Sequence, residues 1–167
     1  MGKWNNFFLQ RMGEDSNSQE YPVCESVETW GMWCKDIPFK LCEKVKEPAK
    51  RTWPDEDGDD EFIPEGGLLL EAYSMKVEFG CKAKDDTTNN LSATSIVRQH
   101  VGEFLSYLKE SGMMKMYSSY TGIGRQNVLL ESYGEGTFKE ADGEAFVIFE
   151  VSSKVNDPAT QITLTTS

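Results

Sequence analysis

Residues 67–83 read GLLLEAYSMKVEFGCKA, and the rest of the chain can be organised around this segment. Its side chains alternate in polarity, so that Tyr73, Val77 and Phe79 share one face while polar residues such as Lys76 take the other. A period of two residues is typical of a β-strand with one buried face. The segment therefore predicts a long strand whose apolar face packs on the core.

An amphipathic helix is predicted over about residues 92–111. Its apolar side chains recur with helical spacing at Val97, Val101, Phe104, Leu105 and Leu108. Ser92 or Thr94 is suited to cap the start, and Gly112 stands where a left-handed cap ends a helix. Gly102 inside the helix costs about 1 kcal/mol relative to alanine, and we expect it to allow close packing on the sheet.

The N-terminal part of the chain predicts an arm and a long loop. Residues 3–12 (KWNNFFLQRM) favour a short helix, and the polar stretch after it makes residues 1–20 a helix and linker arm. Residues 46–67 contain three prolines, three glycines and a dense acidic cluster. This composition indicates a long, exposed acidic loop.

The C-terminal part returns to strand patterns after residue 113. Asp142-Gly143 is a favoured two-residue hairpin turn, and the apolar run 145–151 that follows it is typical of a buried strand. The order of elements predicts an α+β fold in a single domain of residues 1–167. Its antiparallel or mixed β-sheet packs against one main amphipathic helix, the helix of residues 92–111, and a short N-terminal helix is added.

The charge of the chain restricts its partners. Twenty-eight acidic residues stand against seventeen basic ones, which gives a formal net charge of −11. Binding of nucleic acid depends on patches of lysine and arginine, so this surface argues against a DNA grip and against docking on anionic lipid. The charge is compatible with a surface past which DNA slides without sticking. No run of 18 apolar residues is present, so we expect no membrane span.

Cysteine and histidine do not form a metal-binding pattern. Cys24, Cys34, Cys42 and Cys81 contain no CxxC pair, and His100 is the one imidazole. Zinc sites use four convergent ligands, usually in close pairs, so we expect free thiols and no bound metal.

The acidic cluster of residues 55–61 fails the EF-hand test. Placing Gly58 at the sixth loop position puts Trp53 at the first and Pro64 at the twelfth, where calcium requires carboxylates. A solvated loop is favoured, and a loose Ca²⁺ site remains an open alternative.

Residues 121–125, TGIGR, resemble a fragment of a phosphate loop. A strand-like segment rather than a helix follows, so the pattern favours a bend between strands, with Arg125 available for a bidentate pair. His100 has no nucleophile motif beside it, and carboxylates are too abundant to single out a catalytic pair. We therefore expect no catalytic residues, no cofactor and no enzymatic activity.

Tryptophan is concentrated in the first third of the chain. Such residues either fill the core from loops or anchor a partner, since tryptophan is enriched at interface hot spots. The candidate interface residues are Trp4, Phe8, Trp30, Trp33, Trp53 and Arg125.

The C-terminal two thirds resemble a known family. The blocks that carry the likeness are GLLLEAYSMKVEFG, SIVRQHVGEFLSYLKESG, MYSSYTGIGRQNVLLESY and FVIFEVSSKVNDPATQITL. They resemble the neck and tail proteins of tailed bacteriophages and prophages, of the tail-terminator (tail-completion) type, over roughly residues 62–165.

This resemblance implies a structural virion protein without an active site. Such proteins have a sheet flanked by helices and form rings, commonly of six copies, at the head-proximal end of the tail tube. They join the tube to the head–tail connector, and DNA passes through the lumen. The protein would then be made in the host bacterial cytoplasm and reside in the tail or neck of the virion.

Other functions remain open at this point. A tail-tube or head-completion protein would differ mainly in partner and copy number. A non-viral protein-binding module would use the tryptophan-rich N-terminal part to hold one protein. An enzyme using acidic catalysis would need a pocket with two carboxylates of divergent pKa.

Overall fold

The computed structural model describes residues 4–42 and 44–166. Strands with isolated β-bridges account for 42% of the described residues and helices for 15%, so the protein is mainly β and the predicted α+β class is wrong. Its strands are β1 Phe7–Arg11, β2 Cys24–Glu25, β3 Met32–Cys34, β4 Lys50–Thr52, β5 Asp59–Glu61, β6 Tyr73–Lys84, β7 Met113–Ser118, β8 Gly124–Tyr133, β9 Thr137–Ala141 and β10 Glu144–Val155. Its helices are α1 Ser26–Trp30 and α2 Ala93–Ser111.

The main sheet is antiparallel throughout and has the order β2-β1-β7-β8-β10-β6-β3. Strand β10 pairs with β6 along its whole length on one edge. Its other edge is divided, with β9 beside its first half and β8 beside its second half. Asp142 and Gly143 connect β9 to β10 with positive φ angles of 50° and 75°, as a two-residue turn of the predicted kind requires.

The sheet curls until its ends approach each other. Asn5, just before β1, forms a bridge with Cys34 in β3, with N–O distances of 2.7 and 2.9 Å. Strand β1 already pairs with β7, so this bridge links the two sides of the sheet. A strongly twisted sheet of this kind encloses a compact interior.

Helix α2 closes that interior. Ser92 caps it through a hydrogen bond from the Ser95 amide, which confirms the predicted start. The ring of Phe104 is fully buried, with its centroid 5.0 Å from that of Phe79 and 5.8 Å from that of Phe7. The prediction that Gly102 allows close packing is wrong, because a Cβ at this position would meet no atom within 4 Å.

Two further predictions about helices are wrong. The N-terminal segment forms strand β1 rather than a helix, with Phe7 and Leu9 buried and Phe8 on the opposite face. Lys3, the first residue of the predicted helix, lies outside the described residues. The picture of one helix on a sheet also fails, because α1 packs beside α2 through Trp30 and Tyr107, whose ring centroids are 4.9 Å apart.

Residues 46–67, predicted as an exposed acidic loop, are exposed but contain a small hairpin. Strands β4 and β5 form a separate two-stranded sheet whose residues are all exposed. The pairing continues toward the main sheet, since Val45 bridges Leu70 and the Glu71 amide donates to the Lys44 carbonyl at 2.7 Å. We call residues 44–71 the hairpin arm.

Candidate functional site: a tryptophan groove and a hairpin arm

A groove of about 480 Å³ lies on the outer face of the main sheet. The register places Trp33, Gly80 and Ile148 in one row across β3, β6 and β10. Trp4 lies over Gly80, where a Cβ would come within 3.0 Å of the indole ring. The groove's lining includes Trp4, Trp33, Gly80, Lys82, Phe146 and Ile148, and we call it the tryptophan groove.

Lysines surround Phe146 in the next row of the sheet. Lys82 in β6 and Lys139 in β9 are both register partners of Phe146, one on each side. Both lysines are exposed, and neither forms an ion pair within 4.0 Å in the described part of the chain. The groove therefore combines an apolar floor with positive charge at its rim.

The acids on this face are already neutralised by other lysines. The carboxylates of Glu78, Glu144 and Glu150 lie 3.1, 3.5 and 3.8 Å from the ammonium groups of Lys35, Lys84 and Lys76, respectively. Exposed pairs of this kind contribute little to stability, but they cancel local charge.

The hairpin arm is apolar and acidic at the same time. Thirteen large apolar side chains of the described residues are exposed, and six of them lie on the arm: Val45, Trp53, Phe62, Ile63, Leu68 and Leu69. Hydrogen bonds from Thr52 Oγ1 and Trp53 Nε1 hold Asp59 and Asp60, at 2.6 and 3.1 Å. The arm thus presents ordered carboxylates beside exposed apolar side chains.

The candidate interface residues fall in five places. Trp4 and Trp33 come together in the groove, while Trp53 lies on the arm with Arg51 5.0 Å from its ring centroid. Trp30 is only 4% exposed and belongs to the core. Phe8 is half-buried and packs against Tyr117, with the two ring centroids 5.9 Å apart.

Arg125 is buried and ties the C-terminal segment to β8. Its Nη1 donates to the Gly124 carbonyl at 2.9 Å and to Gln161 Oε1 at 2.7 Å. The backbone of Gly124 also lies so close to Ile162 that no side chain would fit between them. These contacts place Arg125 in the body of the fold.

Sequence reasoning found Trp4 and Trp33 but missed the rest of the groove. Gly80, Lys82, Phe146, Ile148 and Lys139 were not among the candidates. A signal was present, because a glycine inside a strand pattern often marks a close approach by another group. The alternation in β6 puts Gly80 on the outward face together with Lys82.

Two buried cysteines of the described residues have raised pKa values. His100 Nδ1 lies 4.0 Å from Cys81 Sγ, a contact that sequence reasoning also missed. Burial raises the pKa of Cys81 to about 11, and burial together with nearby Asp36 raises the pKa of Cys34 to about 12. Both thiols are therefore protonated at neutral pH. In residues 4–42 and 44–166, no group of three or more His, Cys, Asp or Glu could hold a metal ion.

The chain resembles known proteins in structure but not in sequence. No family model matches the chain, and no curated protein matches it. The solved structure of SPP1 Dit (gp 19.1), described as a paradigm of the hub adsorption apparatus in phages that infect Gram-positive bacteria, is similar with a TM-score of 0.44 and 13% identity. The match covers 91% of this chain and 50% of Dit, so the chain spans about half of that protein's length. A likeness this low carries no argument about function.

Neither helix of the described residues is long and apolar enough to cross a membrane.

Proposed function

We propose that the protein is a structural component of a phage tail, which works by assembling with copies of itself and with neighbouring tail proteins. The observation that carries this proposal is the hairpin arm, an exposed two-stranded ribbon with six exposed large apolar side chains. The assignment to a phage tail rests on the sequence resemblance of residues 62–165, whose blocks form β6, α2, β7, β8 and β10.

A ribbon of this kind is poorly stabilised on its own. An isolated two-stranded hairpin is at best marginally stable in water, because each strand covers little apolar surface. Contiguous apolar groups on a protein surface usually mark a site of protein–protein contact. The arm therefore has the properties expected of a segment that packs against another molecule.

The more specific proposal is a tail-terminator ring at the head-proximal end of the tail tube. It is supported by the resemblance and by the acidic charge, since a formal net charge of −11 suits a ring through which DNA slides. Its partners are then other copies of this chain, the tail tube and the head–tail connector. A tail-tube or head-completion protein would use the same surfaces with different neighbours.

A second candidate function is a protein-binding module. The tryptophan groove favours it, because Trp4 and Trp33 both line the same depression. In that case the protein would form a one-to-one complex with a single partner and would not associate with itself.

The test compares the intact protein with a version that lacks the arm. The Lys46 amide donates to the Leu69 carbonyl at 2.7 Å, so an Asn-Gly turn can replace residues 47–68 and leave the main sheet intact. We expect the intact chain to form rings, alone or with tail tube, in negative-stain images. The shortened chain should keep its circular dichroism spectrum and stay monomeric.

A pair of point variants controls for general loss of apolar surface. Phe62→Ser with Ile63→Ser removes apolar groups from the arm, and Leu91→Ser with Tyr120→Ser removes exposed ones elsewhere. Assembly should fall in the first variant alone. The proposal is rejected if the intact chain neither self-associates nor binds tail tube or connector. A one-to-one complex with a single partner would favour the binding module.

A further inference from the structure

We propose that the tryptophan groove of one copy receives the hairpin arm of a second copy. This inference rests on the proposed function, because it names the contact through which the copies assemble. Two surfaces with opposite properties carry it: the lysine-flanked groove and the acidic, apolar arm.

The apolar parts of the two surfaces match in kind. The groove offers apolar surface from Trp33, Ile148 and Trp4, whose ring lies over Gly80. The arm offers Phe62 and Ile63, which are 68% and 50% exposed and directly follow β5. Burial of apolar groups contributes about 25 cal/mol per Å², so removing these side chains from water favours the contact.

The charges of the two surfaces are complementary. Acidic residues crowd the arm between Asp55 and Glu61. Lys82 lines the groove and Lys139 lies beside its Phe146, and neither lysine forms an ion pair in the described residues. The chain has a net charge of −11, so an apolar patch flanked by two such lysines differs in charge from most of the surface. Complementary potentials of this kind fix the choice of partner and the register of a contact.

The contact is between two copies rather than within one. No residue of the arm lines the groove of its own chain, and the arm's apolar side chains are exposed to solvent. Arm and groove are different surfaces, so each copy inserts its arm into the groove of one neighbour and receives the arm of another. Such head-to-tail contacts generate a ring when the rotation closes and an open filament when it does not.

The test exchanges the charges of the two surfaces. Lys82→Glu with Lys139→Glu makes the groove acidic, and Glu56→Lys with Asp57→Lys makes the tip of the arm basic. Each variant alone opposes like charges, so self-association measured by sedimentation should weaken by about tenfold or more, and the loss should shrink in high salt. An equal mixture of the two variants pairs opposite charges at every contact and should restore assembly.

The matched control reverses two lysines elsewhere. Lys109→Glu with Lys154→Glu changes the net charge by the same amount on α2 and on β10, away from the groove. It should associate like the unaltered chain. Carbodiimide crosslinks between isotope-labelled and unlabelled copies should join Lys82 or Lys139 to acids of the arm.

Each other outcome overturns the inference. If the unaltered chain assembles but the groove variant assembles equally well, or if mixing restores nothing, the docking site is wrong while the proposed function stands. Crosslinks confined to single chains would show that the arm folds back on its own groove. If the unaltered chain stays monomeric and does not bind tail tube, the proposed function is contradicted as well.

Discussion

The indole of Trp4 lies against the outer surface of Gly80, so that a Cβ built at residue 80 would sit 3.0 Å from the ring. We therefore predict that Gly80→Ala displaces Trp4 and costs about 1–3 kcal/mol of unfolding free energy, as overpacking does. Two-dimensional NMR should show the indole signal of Trp4 shifting while that of Trp53 stays in place. An unchanged Trp4 signal would contradict this packing.

The same substitution should have the opposite effect at Gly102. A Cβ there meets nothing within 4 Å, and the residue lies inside α2. Alanine restricts the unfolded chain and favours the helix, so Gly102→Ala should stabilise the protein by about 0.5–1 kcal/mol in denaturant unfolding. A loss of stability would mean that α2 needs the glycine for a reason not visible in its surroundings.

Phe104 should be the most sensitive position of the interior. Its ring is fully buried and has neighbouring ring centroids of Phe79 at 5.0 Å and Trp30 at 5.3 Å. Phe104→Ala removes these contacts and leaves a cavity, so unfolding free energy should fall by about 3–5 kcal/mol. Phe138→Ala is the matched control, since that ring is 42% exposed, and it should cost less than about 1 kcal/mol. Equal losses would contradict the assigned core.

Asp157 should make stability depend on acid pH. Partial burial raises its pKa, but hydrogen bonds from Gln126, Thr160 and Ala159 outweigh burial and hold the pKa below the ordinary 3.8. A depressed carboxyl pKa stabilises the fold above the unfolded value, and this contribution is lost as pH falls through the folded value.

Asp157→Asn should therefore lower the melting temperature at neutral pH. The difference in melting temperature between this variant and the unaltered protein should shrink below pH 3.8. Glu135→Gln removes one exposed charge that makes none of these hydrogen bonds, and it should melt like the unaltered chain. A difference that persists unchanged in acid would assign the effect to packing rather than to the carboxylate.

The cysteines should differ widely in reactivity. Cys42 is exposed, whereas Cys34 and Cys81 are buried and their pKa values are raised, so little thiolate forms at neutral pH. The thiolate is the reactive form. An aromatic disulfide reagent should modify Cys42 quickly and reach Cys34 and Cys81 only on unfolding. Fast labelling of Cys81 in the native protein would contradict its burial.

Local signals predicted the elements that depend on neighbours in sequence. Helix α2 was found because its apolar spacing and the cap at Ser92 lie within one segment. The turn at Asp142-Gly143 was found because its two residues suffice to set the backbone. The N-terminal strand was missed because Phe7 pairs with Ser118, and no local pattern shows so distant a partner.

The groove escaped prediction for the same physical reason. Trp4, Trp33, Gly80 and Phe146 come from four separate segments, and only the curled sheet brings them together. The change from buried Trp30 to half-exposed Trp33 is set by Gly31, whose φ of 61° ends α1 and turns the chain outward. Composition alone identified a cluster of tryptophans but could not distinguish the buried ones from the exposed ones.

Strand β1 is synthesised before the other strands of the sheet, and its main partner, β7, is synthesised much later. Its neighbour β7 begins at Met113, so during synthesis the first strand can pair only with β2 while most of the sheet is still missing. Pairings between distant segments slow folding, because the loop must close before any contact forms. The edge of Phe7–Arg11 that β7 later covers therefore stays open on the ribosome, where chaperones or sister chains can reach it.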